Sequence, residues 1–170
     1  PDQTLRVVAK VIEVVDESAG PVLWGFYDRD DIAGLFGHQN NPSWRVGHRD
    51  LDLGDQHHTV LMVNLRKPPG TPLEHRYADR FISPGQLQWE SQASTGSGSI
   101  KAKRIFDQQK DGRTIHLFVR YHTKSADGKG EPYTYCGTVA YKSHEGERPI
   151  QFMFDLHMPL PRALWQVWSG

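Results

Sequence analysis

The sequence predicts an α+β fold built mainly on an antiparallel β-sheet, which curls or closes into a barrel and carries one to three flanking helices. In the second half, residues 114–122, 133–141 and 150–158 alternate between two faces with the period of two that is typical of strands. Polar turns separate these segments, as expected of antiparallel neighbours. The last strands carry apolar side chains on both faces, so we expect the sheet to curl on itself or to lie under helices.

The first half of the chain predicts two helices and a strand. Apolar residues recur at roughly helical spacing over Thr4–Val15. Asp28 is a good N-cap for a second helix, which has an apolar stripe and ends at Gly37. Residues 38–55 are rich in Asn, Gly, Asp and His and are expected to form a long loop. An apolar strand is predicted at Thr59–Leu65, before a proline-rich turn.

Composition is consistent with a single domain of 170 residues, 1–170, with enough apolar residues for a core. The chain begins at Pro1 without a signal pattern, so we expect a piece excised from a longer protein. The 20 basic and 20 acidic residues cancel, so a nucleic-acid site would need local segregation of charge. The lone Cys136 precludes an internal disulfide and fits a cytoplasmic location. No apolar run is long enough to predict a membrane span.

Catalytic chemistry has little support in the sequence. His57 and His58 are adjacent and would point to opposite faces of a strand. His116 and His122 share a face but lie about 20 Å apart on an extended strand. The motifs of a nucleophile elbow, a phosphate-binding loop and a zinc protease are missing from the sequence. We therefore expect no catalytic residue, no metal ion and no cofactor.

The stretch from Tyr77 to Arg104 has the side chains of a binding surface. A short alternating strand carries the sequence WESQ at 89–92, a loop of small residues follows at 94–99, and three cations come next. Small residues let backbone N–H groups approach phosphates, and cations neutralise them. Each feature also has a structural interpretation: Trp89 as core, the loop as a plain hairpin connection, and the cations as a solvated face.

These considerations give two sets of candidate site residues. Residues that could stack on a base or bond its edge form the predicted base pocket: Tyr27, Asp30, Trp89, Glu90, Ser91 and Gln92. Residues that could contact the DNA backbone form the second set: Arg29, Arg45, Ser94, Thr95, Ser97, Ser99, Lys101, Lys103, Arg104 and Arg120. For Arg120, which lies on a half-polar strand face, a salt bridge is the structural alternative.

Seven segments together resemble a known family. They read GFYDRDDIAGLFG, HHTVLMVNLRK, YADRF, LQWESQASTGSG, IHLFVRYHTK, YTYCGTVAYKS and RPIQF. In this order they resemble the DUF3427 family over roughly residues 24–161. The resemblance implies a C-terminal domain of longer proteins that also carry a phospholipase-D-like nuclease and a DEAD/DEAH-type helicase. Some of these are modification-dependent (type IV) restriction enzymes that defend against foreign DNA, in which this domain is thought to recognise methylated cytosine.

The sequence and the resemblance together predict a non-enzymatic DNA-recognition domain. It would read a modified base, 5-methylcytosine or a relative, by flipping it into a pocket of an SRA/PUA-like barrel. The expected partners are double-stranded DNA carrying a modification and the helicase and nuclease domains of the same polypeptide, with no membrane involved. Three alternatives stay open: a reader of backbone phosphorothioate, a protein-interaction module that docks the helicase or a partner subunit, and a small enzyme with a His–carboxylate pair.

Overall fold

A computed structural model describes residues 20–67, 69–73 and 78–169. The strands are β1 (Phe26–Tyr27), β2 (His48–Leu53), β3 (Gln56–Asn64), β4 (Arg80–Ser83), β5 (Gln86–Glu90), β6 (Thr114–Arg120), β7 (Tyr133–Glu145) and β8 (Gln151–Leu156). The helices are α1 (Arg29–Leu35), α2 (Ile100–Phe106), α3 (Gln108–Asp111), α4 (Arg162–Trp168) and a 3₁₀-helix at Pro42–Arg45. None of the helices in these ranges is long and apolar enough to cross a membrane.

The eight strands form one mixed sheet in the order β2-β3-β6-β7-β8-β5-β4, with β1 paired to β7. All neighbours are antiparallel except β3 and β6, which run parallel. The sheet curls but stays open, because β2 and β4 at its two ends do not pair. The predicted fold class, a mainly antiparallel curled sheet with flanking helices, is confirmed. The described residues hold four α-helices where the sequence predicted one to three.

Apolar side chains on alternate positions build a core on each face of the sheet. On β6, Leu117 and Val119 face one core, which α2 and α4 also enter. Phe118 faces the other core, together with Val60 of β3 and Ile32 of α1. Burying a large apolar side chain contributes about 1.5–3 kcal/mol, so both faces stabilise the fold. The sequence predicted that the sheet would curl or lie under helices, and the structure does both.

Helix α1 begins as the sequence predicts. The carboxylate of Asp28 accepts a hydrogen bond from the backbone N–H of Asp31 at 2.8 Å, and the carboxylate of Asp31 accepts one from the N–H of Asp28 at 3.1 Å. This reciprocal capping box satisfies two N–H groups that the first turn of a helix leaves unpaired. Gly37 follows the helix with φ +74°, a conformation that favours glycine.

One prediction about secondary structure was wrong, and a second falls outside the described part of the chain. Residues 38–55 are not a long loop, because they contain the 3₁₀-helix and strand β2, which pairs with β3 across a turn at Gly54-Asp55. The prediction missed β2 because its alternating inward side chains, His48 and Asp50, are polar. The cations after the small-residue loop lie on helix α2, which is too short to show a clear helical period. The helix predicted at Thr4–Val15 lies outside the described residues.

Candidate functional site

The two ends of the sheet approach each other along a line that we call the seam. The C-terminal end of β3 and strand β2 lie on one side of it, and β4 and β5 lie on the other. The ring of His48 meets the ring of Trp89 edge-on at a centroid distance of 5.7 Å. Lys67, just after β3, forms an ion pair and hydrogen bond with Asp79, just before β4. Among the described residues, side-chain contacts cross the seam and no backbone hydrogen bond does.

A cavity of about 170 Å³ opens along the seam. Its wall contains three kinds of polar group: cations, carboxylates and amides. These are Arg29, Arg45, Lys67, Asp79, Glu90, Asn64 and Gln92. Less polar residues complete it: Val46, Gly47, Met62, Trp89 and Ser91. We call this space the seam cavity; it combines an aromatic wall with hydrogen-bond donors, acceptors and positive charge.

Trp89 is both a core residue and a wall of the seam cavity. Its side chain is 5% exposed and packs on Phe152 and Phe154 at centroid distances of 5.7 and 6.2 Å. Trp89 is therefore a core residue, which was the structural alternative to a binding role, and the same packing holds its ring beside the cavity. Ser91 is held as firmly, since its hydroxyl accepts from the backbone N–H of Ile150 at 2.9 Å.

The wall of the seam cavity includes a buried carboxylate, that of Asp79. Besides binding Lys67, Asp79 accepts a hydrogen bond from the backbone N–H of Glu90 at 2.8 Å. Burial raises the pKa of the Asp79 carboxyl above its ordinary value, and the charge of Lys67 and the Glu90 N–H oppose that rise. Glu90 also lines the cavity, so two carboxyl groups stand in its wall.

Arg29 and Arg45 place positive charge beside the seam cavity. Arg29 is the first residue of α1, and its Nε is buried without a hydrogen-bond partner among the described residues. Arg45 ends the 3₁₀-helix and is exposed. A buried guanidinium N–H that lacks an acceptor costs free energy, which an incoming acceptor would offset. The two arginines that the sequence assigned to the DNA backbone therefore lie in the same wall as the predicted residues 89–92.

The small-residue loop is anchored at Ser97 and Ser99, in its second half. The backbone N–H of Ser97 donates to the carboxylate of Glu147 at 2.8 Å, in the turn between β7 and β8. Ser99 caps helix α2 by accepting from the N–H of Ala102 at 3.2 Å. Thr95 is buried, whereas Ser94 is exposed. The predicted loop residues are therefore close together, but their backbone already has partners within the fold.

The three predicted cations after the loop have different surroundings. Lys101 donates from Nζ to the side-chain oxygen of Gln92 at 3.2 Å, which brings it to the edge of the seam cavity. Lys103 is exposed on α2. Arg104 points to the seam, where its Nη1 donates to the carboxylate of Asp50 at 3.3 Å. Arg104 thus joins helix α2 to strand β2, and Lys101 and Lys103 keep their charges on the surface.

Three predicted residues lie away from this group. Tyr27 is 3% exposed in the second core, where its hydroxyl accepts from the backbone N–H of Val22 at 2.8 Å. Asp30 is exposed and accepts a hydrogen bond from the side chain of Asn40 at 2.9 Å. Arg120 is 5% exposed and lies over the ring of Tyr133 at 4.4 Å. We leave all three out of the proposed contact surface, because none of them lines the seam cavity.

Sequence reasoning missed several residues of the cavity: Val46, Met62, Asn64, Lys67 and Asp79. Asp79 was visible within the YADRF segment, beside the motif that drew attention to residues 89–92. The others stand near the ends of elements that are far apart in the sequence.

A pair of histidines lies outside the seam cavity: the Nδ1 of His58 is 3.1 Å from the Nε2 of His116, on the neighbouring strand. Burial lowers the pKa of His116 to about 4. In the described part of the chain, no three His, Cys, Asp or Glu side chains are grouped to hold a metal ion.

Asp50 ties strands β2 and β3, on one side of the seam, to helix α2. Its carboxylate accepts from Thr59 at 2.6 Å and contacts the Nε2 of His48 at 2.9 Å, in addition to Arg104. Burial alone would raise the pKa of Asp50, but these hydrogen bonds and the charge of His48 outweigh it and hold the pKa well below the ordinary 3.8. The unfolded chain therefore takes up this proton first as the pH falls.

We expect Asp50→Asn to lower the free energy of unfolding by roughly 2–3 kcal/mol at pH 7, since hydrogen bonds to a charged group contribute more than neutral ones. The stabilisation by the carboxylate is complete above the unfolded pKa and is lost as the pH falls below about 4. Urea unfolding of the wild type and the variant at pH 7, 5 and 3 checks this. An undiminished gap at pH 3 would show that the charge of Asp50 does not matter.

Comparisons with known proteins give the fold and the family. A search of curated protein sequences gives no significant match. Among solved structures, SUVH6 of Arabidopsis thaliana, crystallised with SAM, is similar with a TM-score of 0.50 and 11% identity; the match covers 91% of this chain and 32% of that one. The MspJI restriction endonuclease, solved with a 27-mer oligonucleotide, is similar with a TM-score of 0.48 and 14% identity, covering 88% of this chain and 45% of that one.

The chain thus spans about a third to a half of the length of these two proteins. At 11% identity the likeness to SUVH6 shows the fold alone, which here is a mainly antiparallel sheet that stays open instead of closing into a barrel. The sequence itself gives the family. The model of a family described as "Domain of unknown function (DUF3427)" matches residues 22–167, which is nearly the whole described fold, and the chain therefore belongs to the DUF3427 family.

Proposed function

We propose that this chain is a DNA-recognition domain that reads a modified base, 5-methylcytosine or a close relative, flipped out of the duplex into the seam cavity. The observation that carries the proposal is the composition of the cavity wall. It offers an aromatic ring at Trp89, amides at Asn64 and Gln92, and carboxyl groups at Asp79 and Glu90. A flipped base is held by stacking and by hydrogen bonds to its Watson–Crick edge, and this wall has both.

The size of the cavity supports a single base as the ligand. At about 170 Å³ it is smaller than the 300–1,000 Å³ of common small-molecule pockets. One planar ring fits such a space, and the sugar and phosphates would remain outside. The residues around the opening would then meet the backbone of the strand that carries the flipped base.

The charges around the seam cavity support contact with that backbone. Arg29 and Arg45 stand on one side of the cavity, and Lys101 is bonded to Gln92 on the other. The chain as a whole has no net charge, so this local cluster is where phosphates are neutralised. Phosphate contacts position the duplex, and the cavity supplies the selection.

The domain would act as the recognition part of a longer polypeptide. The family resemblance described above supports helicase and nuclease domains elsewhere in the same protein, acting in the cytoplasm on foreign DNA. We assign no catalytic residue to this domain, because the cavity wall lacks a nucleophile paired with a base. Ser91 contributes a hydroxyl to the cavity wall, but this hydroxyl is hydrogen-bonded to the backbone of Ile150 and of Gln92.

The test is a binding comparison with short duplexes that differ at a single position and have randomised flanks. The central cytosine is plain, 5-methylated or 5-hydroxymethylated, and a fourth duplex carries a phosphorothioate at that step. We expect the dissociation constant, measured by fluorescence anisotropy, to be lower by about ten-fold or more for one of the modified bases than for plain cytosine.

Each other outcome of this comparison has a defined meaning. Preference for the phosphorothioate duplex alone would contradict base reading and favour a reader of the backbone. Equal and negligible binding to all four duplexes would contradict DNA recognition and favour a protein-interaction module. The salt dependence of binding gives an independent check, because each phosphate contact contributes a slope of about one on a logarithmic plot.

A further inference from the structure

We infer that Asn64 is a specificity-determining hydrogen-bond donor in the seam cavity, and that Arg120 is the positioning residue that orients it. This inference rests on the proposed function, since it assigns a role at the same site. Neither role follows from the sequence, which suggested Arg120 as a contact to the DNA backbone and did not single out Asn64.

The orientation of the Asn64 amide follows from its neighbour. The Nε of Arg120 donates a hydrogen bond to the Oδ1 of Asn64. A guanidinium has donors and no acceptor, so only the oxygen of an amide can face it. The Nδ2 group of Asn64, with its two N–H donors, is consequently the end that is left for the seam cavity, whose wall contains this residue.

Arg120 is itself held rigidly, so the orientation of the amide is fixed. Asn64 and Arg120 are register partners on the parallel strands β3 and β6, which places their side chains on the same face of the sheet. The Nη1 of Arg120 donates to the backbone carbonyl of Glu131 at 3.2 Å, and the guanidinium lies over the ring of Tyr133. Burial and these contacts hold the guanidinium of Arg120 beside Asn64.

The donor at Asn64 complements the other groups in the wall. Asp79 and Glu90 carry carboxylates there, which accept hydrogen bonds when ionised. A ligand that satisfies the wall must therefore present a hydrogen-bond acceptor to Asn64 as well as a donor to a carboxylate. The Watson–Crick edge of a cytosine has both, and a site built to bond a group discriminates strongly against ligands that lack it.

Asn64→Asp tests the role of the donor. The aspartate has nearly the same shape and keeps its bond to Arg120, but it presents an acceptor where the amide presents N–H groups. We expect the affinity for the modified duplex to fall by about ten-fold or more, because its flipped base loses a donor and meets a repelling oxygen. The plain duplex, bound through its phosphates with no flipped base, should keep its affinity, so the preference falls. Gln166→Glu, which adds the same charge on the exposed surface of α4, should keep the wild-type preference.

Two substitutions at Arg120 test the orientation. Arg120→Lys keeps a cation with donors only, so the preference should be largely retained. Arg120→Gln places beside Asn64 an amide that can accept a hydrogen bond as well as donate one, so the Asn64 amide can flip and turn its oxygen to the cavity. The preference for modified DNA should then fall, while plain DNA binds as before. The melting temperature of every variant shows whether it folds. If the Arg120 variants do not fold, the result for Asn64→Asp alone decides whether the inference holds.

The outcomes separate this inference from the proposed function. If the wild type shows no preference among the duplexes, the proposed function fails and the role of Asn64 fails with it. If the wild type has a preference and folded Asn64→Asp keeps it, the inference is overturned and the proposed function stands. Equal weakening of plain and modified duplexes by Asn64→Asp, beyond the effect of Gln166→Glu, would also overturn it, since a specificity residue changes the ratio.

Discussion

Val46→Trp is expected to remove the preference for modified DNA and to leave non-specific DNA binding intact. Val46 lines the seam cavity and is 44% exposed, and its backbone has the ordinary helical values of φ −84° and ψ −3°. An indole at this position can occupy the space that the base needs without disturbing either core. Loss of base stacking costs about 1–3 kcal/mol, so the affinity for the modified duplex should fall by roughly ten-fold or more.

The control for this prediction is Val46→Ala, which keeps the cavity open at the same position and should preserve the preference. Anisotropy measurements with the plain and modified duplexes give the ratio for both variants. A Val46→Trp protein that folds normally and still prefers the modified duplex would show that the base is bound elsewhere on the surface.

Lys67→Met is expected to give the largest loss of stability, about 3–5 kcal/mol, because it leaves the carboxylate of Asp79 buried without its cation. The Asp79 side chain is 4% exposed, and burial raises its pKa above the ordinary value. In the variant the folded state would therefore bind a proton more tightly than the unfolded state does. Lowering the pH through that raised pKa should recover stability, which is the opposite of the trend at Asp50.

The double variant Lys67→Met with Asp79→Leu should recover most of the lost stability at pH 7, since an apolar pair replaces the buried ion pair. Guanidinium unfolding of the two single variants and the double variant measures the coupling between the residues. A Lys67→Met protein as stable as the wild type at pH 7 would mean that the ion pair does not hold the seam.

The fold was largely predictable wherever the sequence shows the period of two that is typical of strands. Strands β6, β7 and β8 follow this pattern, and so does the capped start of α1. Strand β2 was not predicted because its inward residues are polar: His48 contacts Trp89 across the seam, and Asp50 bonds Arg104. The parallel pairing of β3 with β6 could not be predicted from the sequence either, because it depends on a crossover of about fifty residues between Asn64 and Thr114.

The candidate site was predictable only where it is continuous in sequence. Residues 89–92 form one wall of the seam cavity, and their mixture of aromatic, carboxyl and amide groups drew attention to them. Asn64 and Asp79 join them only because the sheet curls and brings its two ends together. Tyr27 shows the converse limit: its place before a helix suggested a stacking platform, yet neighbouring strands bury it in the second core.

A crystal structure of the domain bound to a duplex with one 5-methylcytosine tests the central claim most directly. We predict that the methylated base is rotated out of the helix and lies in the seam cavity, beside Trp89 and within hydrogen-bond distance of the Asn64 amide nitrogen. A methylated base that stays stacked in the duplex, or one that binds at another surface of the domain with the seam cavity unaltered, would contradict the account.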